Sequence, residues 1–235
     1  MRWVIYCFSL LLLLASVGAG TLAFLLYKYG KGLPDYGQLA NYKPPVVTRV
    51  HSGDGRLIAE YAKERRVFIP VSVMPKLLIK AFLSSEDKNF FEHSGVDPVS
   101  LMNAAINNLL NFYKNKRPRG ASTITQQVAK NFLLSNELSL ERKIKEAILA
   151  FRIEKAFSKN RILELYLNEI YLGMGSYGVA AAALNYFDKS LDELTVEEAA
   201  YLAALPKAPN NYHPVRKRGA AIARRNWVIR KMHEN

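Results

Sequence analysis

Residues 3–27 form 25 consecutive positions without a charged side chain, including five leucines in a row at 10–14. As a helix this run is long enough to cross the hydrocarbon core of a bilayer, for which about 20 apolar residues suffice. A cleaved leader has a shorter apolar region, roughly 7 to 15 residues. Residues 15–20 are rich in small side chains, but Phe24, Leu25 and Leu26 continue past any cleavage point there. The sequence therefore predicts a retained anchor over 1–29. Arg2 lies on one side of it and Lys28 and Lys31 on the other, too even a distribution to fix orientation. What remains, roughly 200 residues, is enough for one core or two small lobes, folded beside a membrane.

The formal charge of +13 implies an anionic partner. Nucleic acid, anionic headgroups and a phosphorylated substrate all satisfy it. Cys7 is the single cysteine, so no intrachain disulfide can form. His51, His93, His213 and His233 show no ligand spacing, and no zinc site is expected.

Residues 30–45, with three glycines and three prolines, read as a linker. A β lead-in follows over 46–70. Its hairpin pairs 46–50 with 57–61 around Ser52-Gly53-Asp54-Gly55, and Val67, Phe68 and Ile69 suggest a third strand. The pattern from Met74 is helical, and 71–235 is assigned to one mainly α domain. No acid lies between Asp97 and Glu137, while Lys114, Lys116, Arg117, Arg119 and Lys130 do. The apolar residues Leu101, Met102, Ile106, Leu109, Leu110 and Phe112 precede that cluster. Such a segment suits the headgroup layer of a membrane and equally suits a solvated charge run beside a core helix.

A helix is predicted over 139–157, with Leu140, Ile144, Ile148 and Phe151 as its apolar stripe. Arg142, Lys143 and Glu146 then share its other face, two cations beside one carboxylate. Another helix covers 159–171. Gly173-Met174-Gly175-Ser176-Tyr177-Gly178 matches the dinucleotide fingerprint in letters, but it follows a helix and lacks a βαβ unit, so it reads as a helix stop and turn. Thr195 and Glu198 form a capping box. Eight cations and no acid occupy 199–233.

The densest chemistry lies at 84–95. Glu86 and Asp87 stand side by side at the end of an apolar stretch, close to Phe90, His93 and Gly95. Adjacent carboxylates that are partly buried raise each other's pKa, which makes one of them a candidate proton acceptor or donor. The plainer alternative is a pair of acids decorating a helix end.

Together these stretches resemble the peptidoglycan glycosyltransferases, glycosyltransferase family 51, found in class A penicillin-binding proteins and in single-function relatives. Glu86-Asp87 with Phe90, His93 and Gly95 is similar to the first motif, and Gly120 through Gln127 to the second. Arg142 to Glu146 resembles the third, Lys159 to Asn168 the fourth, and Arg224-Arg225-Asn226-Trp227-Val228-Ile229 the fifth.

The resemblance implies a lysozyme-like helical fold with a smaller lobe partly sunk in the membrane. It also implies inverting transfer from lipid II onto a growing glycan strand, with release of undecaprenyl pyrophosphate. By that resemblance Glu86 is the catalytic base and Glu146 a second essential carboxylate. Arg142 and Lys143 hold the pyrophosphate. Asp87, Ser122, Thr123, Gln126, Gln127 and Lys130 are substrate-binding, and His93 is structural. A divalent magnesium or manganese ion at Glu146 is the one cofactor allowed for. The expected setting is the outer face of a bacterial inner membrane, with a single span, cell-wall synthesis proteins as further partners and no nucleic acid.

The lead-in is similar to that of bifunctional class A proteins. Their Lys-Thr-Gly strand is absent from this sequence, so neither cross-linking nor covalent penicillin binding is expected of it. Two other readings compete: a lysozyme-like enzyme that cleaves glycan, and a membrane-tethered basic binding module.

Overall fold

The computed structural model describes residues 2–40, 42, 48–61, 65–113, 120–135, 137 and 139–235. The apolar run forms α1 (Arg2–Gly30), and an 18-residue stretch within Tyr6–Gly30 has a mean hydropathy of 2.2 with none of it buried in the protein. By length and composition this helix can cross a membrane. Its C-terminal carbonyls, left without helical partners, meet a cation: Arg152 Nη2 donates to Gly30 O at 3.2 Å.

The segment after α1 is more ordered than its glycines and prolines suggest. Asp35 caps a short 3₁₀ turn at Tyr36–Leu39, accepting from Gly37 N at 2.8 Å, and Leu39 is buried in the core. Tyr42 donates its hydroxyl to Glu169 at 2.6 Å. The hairpin forms as expected from β1 (Thr48–His51) and β2 (Leu57–Tyr61), antiparallel around a turn closed by Gly55 N to Ser52 O at 2.9 Å. Val46 and Val47, the predicted start of its first strand, lie outside the described residues.

The third strand differs from expectation. It is β3 (Arg65–Arg66) rather than 67–69, and it pairs in parallel with β4 (Ser176–Tyr177) instead of extending the hairpin. Strand β4 falls inside the glycine-rich segment, which is thus a turn plus a strand. Gly178 closes it at φ +79°, where a Cβ would meet Asn168 O at 2.5 Å, so glycine serves backbone approach and not nucleotide binding.

The helical body comprises α2 (Lys76–Glu86), α3 (Pro98–Tyr113), α4 (Ile124–Leu133), α5 (Leu140–Ala156), α6 (Lys159–Glu169), α7 (Val179–Phe187), α8 (Val196–Leu202) and α9 (Arg218–Glu234). Helix α4 packs on α5 and α6, and α2 on α8 and α9. Phe82, Phe90, Leu149, Ile153, Leu163, Leu202 and Val228 fill the space between them. Caps fix the boundaries. Ser139 and Ser158 accept from Arg142 N and Arg161 N, starting α5 and α6 where the sequence predicts, although α6 stops short of 171.

Helix α5 buries only part of the predicted stripe. Ile148 is buried and Ile144 half-buried, but Leu140 and Phe151 are 80% and 46% exposed, and Arg142, Glu146, Leu149 and Ile153 face inward. Burying that charged face requires the ions to satisfy one another, and they do so in the site described below. Helix α6 clamps the lead-in onto the body. Asn168 Oδ1 accepts from Ile69 N and its Nδ2 donates to Ile69 O, both at 2.8 Å, while Glu164 accepts from Val71 N at 2.9 Å.

Candidate active site

Glu86 is the last residue of α2 and Asp87 its C-cap. A helix C-terminus is a poor place for two carboxylates, because the unpaired carbonyls already carry partial negative charge. The two acids resolve this differently. Asp87 is buried, accepts a hydrogen bond from His93 Nε2 at 3.0 Å, and accepts from Ile124 N at 2.9 Å, which sets it on the positive end of α4. His93 Nδ1 in turn accepts from Gly95 N at 3.2 Å, which leaves Nε2 as the nitrogen that donates to Asp87, and the ring acts as a spacer. Both oxygens of Asp87 are thus committed to the fold.

Glu86 reaches the cleft. Its Oε2 accepts from Gln127 Nε2 at 2.9 Å. Burial pushes its pKa up, against the opposing pull of the Gln127 hydrogen bond and of the Arg224 and Lys207 charges, and Asp87 adds a smaller upward push. The proximity of the two acids, the reason for singling them out in the sequence, is therefore the lesser cause and desolvation the greater.

Gly95 makes this corner possible. At φ +100° it lies so close to α5 that a Cβ would stand 2.8 Å from the Ala150 carbonyl. Gly95→Ala is expected to lower stability by about 2 kcal/mol or more, read by denaturant titration, since neither the dihedral nor the space admits a methyl group. An unchanged midpoint would contradict this.

The segment leading into α4 forms one wall of a cleft of about 580 Å³, with Ser84, Ser85, Glu86 and Lys88 at its base, α3 on one side and Trp227 and Lys231 of α9 on another. Thr123 and Gln126 are buried and reciprocally cap α4, and the Thr123 hydroxyl donates to Gly95 O at 2.5 Å. Their polar groups are thus engaged in holding the wall. Ser122 and Gln127 remain partly exposed.

A second charged group adjoins the same wall. Glu146 is 1% exposed, with Arg142 Nη1 on one carboxylate oxygen and Lys143 Nζ on the other. Lys143 Nζ also donates to Ser122 Oγ at 3.0 Å, which ties this ion cluster to the cleft lining. Burial lowers the pKa of Lys143 and of half-buried Lys130, and the Arg142 charge lowers both further. One carboxylate thus balances a trio of cations whose mutual repulsion an incoming anion would relieve.

As a resident metal site this donor set does not fit. Both Glu146 oxygens already carry cations, and among the described residues no three His, Cys, Asp or Glu side chains converge.

Residues 54–233 match the family described as Transglycosylase. The chain belongs to that family. It is 54% identical over 230 residues to penicillin-binding protein 1A of Rickettsia felis, across 98% of this chain and 29% of that protein. With penicillin-binding protein 1A of Escherichia coli it shares 45% over 233 residues, across 99% and 27%. A crystal structure of penicillin-binding protein 1A from Haemophilus influenzae, 29% identical, aligns with a TM-score of 0.43 over 81% of this chain and 18% of that one. The chain spans less than a third of the length of the curated relatives it matches.

Sequence reasoning assigned no role to two groups that this transglycosylase places around Glu86. Arg224, stacked 3.8 Å over the Trp227 ring, acts electrostatically on Glu86 together with Lys207, and its Nε is buried without a hydrogen-bond partner. Tyr166 is buried, and the Glu86 charge helps hold its phenol pKa well above normal, after burial itself. The resemblance to the fifth motif and the run of cations without acids at 199–233 were the available signals for Arg224. Tyr166 falls inside the segment that resembles the fourth motif, but by periodicity it reads as one more apolar-stripe residue of α6. Lys159 also proves structural, since it bonds His93 O at 2.6 Å and Glu154 at 2.7 Å and lies over the Phe90 ring.

Proposed function

We propose that this transglycosylase domain polymerises glycan strands from lipid II by inverting transfer and releases undecaprenyl pyrophosphate. One observation carries the proposal. A desolvated carboxyl, Glu86, and a hydroxyl bonded to a cation cluster, Ser122 on Lys143, line one cleft. Glu86 takes the proton of the acceptor sugar's 4-hydroxyl as that oxygen attacks the anomeric carbon of the donor, and its raised pKa suits it to the task. The bond to pyrophosphate breaks on the opposite face, and Lys143, Arg142 and Lys130 receive the charge that grows there. Glu146 holds the two nearer cations in place. Cleavage of glycan, the competing chemistry, needs a carboxyl but gives no anion for these cations to meet. The test is incubation of the purified protein with lipid II and analysis of products by gel and mass spectrometry, which distinguishes polymer from shortened glycan.

Lipid II is held in a bilayer by its polyprenyl tail, and the apolar side of α3 is suited to meet that surface. Met102, Leu109 and Phe112 are 67%, 60% and 77% exposed on its outer side. The cations at 114, 116, 117 and 119 lie outside the described residues. We place the domain on the outer face of the inner membrane with α3 against the lipid. A form lacking residues 2–29 is then expected to bind anionic vesicles at an ionic strength of about 0.01 M and to release as salt shortens the screening length toward about 8 Å. Indifference to vesicles at low salt would contradict this placement.

A further inference from the structure

Helix α3 has two sides of unlike chemistry. Ser100, Asn103, Asn107 and Asn111 recur at three- and four-residue steps, with Ala104 and Asn108 beside them, so they share one face. Leu101, Met102, Ile106, Leu109 and Phe112 occupy the other and are exposed. Of the polar face, Ser100, Asn103 and Asn107 line the cleft that Glu86 opens into, across from Trp227 and Lys231. Asn107 Nδ2 donates to Asn103 O at 2.7 Å, which fixes its amide along the wall.

The choice of residues is unusual for a helix at a membrane. A helix that lies in the headgroup layer normally carries lysine and arginine on its polar face, yet residues 98–113 contain no charged side chain. Asparagine is also among the weaker helix formers, and a merely solvated face would favour glutamate, lysine or glutamine. Carboxamides offer two donors and an acceptor without charge. Their natural counterpart is a neutral ligand with alternating donors and acceptors, such as the hydroxyl and acetamido groups of N-acetylated sugars.

We infer that Ser100, Asn103 and Asn107 form a saccharide subsite on the α3 wall of the cleft, binding the N-acetylhexosamine units of the glycan while the opposite face of the same helix meets lipid. The inference rests on the glycan-polymerising reading for the identity of the sugar. It assigns α3 two tasks at once, holding the strand near Glu86 and keeping the cleft at the membrane surface.

The test uses the full chain in detergent with Asn103→Ala/Asn107→Ala, a change toward the better helix former that should leave the melting temperature undiminished. Loss of two uncharged hydrogen bonds predicts a KM for lipid II raised about five- to thirty-fold, with kcat within about twofold. Calorimetric binding of disaccharide oligomers released from cell wall by a muramidase should weaken by a similar factor. Unchanged KM together with unchanged oligomer binding would overturn the subsite. So would a variant that loses vesicle binding while its KM stays put, which would assign the asparagines to lipid. Should the wild-type chain bind the oligomers through these asparagines yet make no polymer from lipid II, the subsite stands and the polymerising reading falls.

Discussion

Glu86→Gln is expected to reduce polymerisation by about two to four orders of magnitude, because the substituted amide keeps the shape and the Gln127 contact but cannot accept the acceptor hydroxyl's proton. The same change should not harm the fold. Glu86 holds its proton more tightly folded than unfolded, since burial raises its pKa. Its contribution to stability is therefore present at acid pH and is lost as pH rises through the unfolded and then the folded value. A neutral glutamine avoids that loss, so the variant should melt no lower than wild type near neutral pH, and any advantage should shrink on acidification. The wild-type rate should fall as pH drops through the raised folded value, where the base becomes protonated. Retained activity in the variant, or a collapsed melting temperature, would remove Glu86 from the role of base.

The cation cluster separates a functional from a structural charge. Lys143→Ala is expected to cost about 10²-fold or more in turnover with little change in melting temperature, as the Lys143 side chain is 45% exposed and stabilises the fold only weakly. Glu146→Ala should behave otherwise. Its carboxylate is 1% exposed, and removing it strands the buried Arg142 guanidinium without a counter-charge, a loss of about 3 kcal/mol or more. That variant should lose stability and activity together. Normal turnover by Lys143→Ala would reduce the Lys143–Glu146 contact to a half-exposed ion pair worth a few tenths of a kcal/mol.

What could be read in the sequence was what is local. The capping box at Thr195 starts a helix in the structure, and Ser139 and Ser158 cap α5 and α6 where those helices were expected to begin, because a cap needs only residues three positions apart. The hairpin followed from its turn. Failures came where distant residues decide. Strand β3 found its partner more than a hundred residues on, at Ser176 and Tyr177, which no local pattern encodes. The buried face of α5 joins Arg142 and Glu146 to Ile148, Leu149 and Ile153, so the periodicity of apolar residues located it only in part, and only the mutual pairing of Arg142, Lys143 and Glu146 makes that burial tolerable. Thr123 and Gln126, substrate-binding by resemblance, also cap α4, a fold role that the resemblance did not give them. Arg224 meets Glu86 across a separation in sequence that a motif can mark but not explain.

In the proposed reaction a proton leaves to Glu86 while the pyrophosphate is received at Arg142 and Lys143. Single-turnover incubation of the purified protein with lipid II, with simultaneous measurement of undecaprenyl pyrophosphate released and glycosidic bonds formed, tests it most directly. One carrier released per bond formed, with both products lost together in Glu86→Gln and in Lys143→Ala, is the predicted result. Carrier release without bond formation, or bond formation that survives both substitutions, would contradict it.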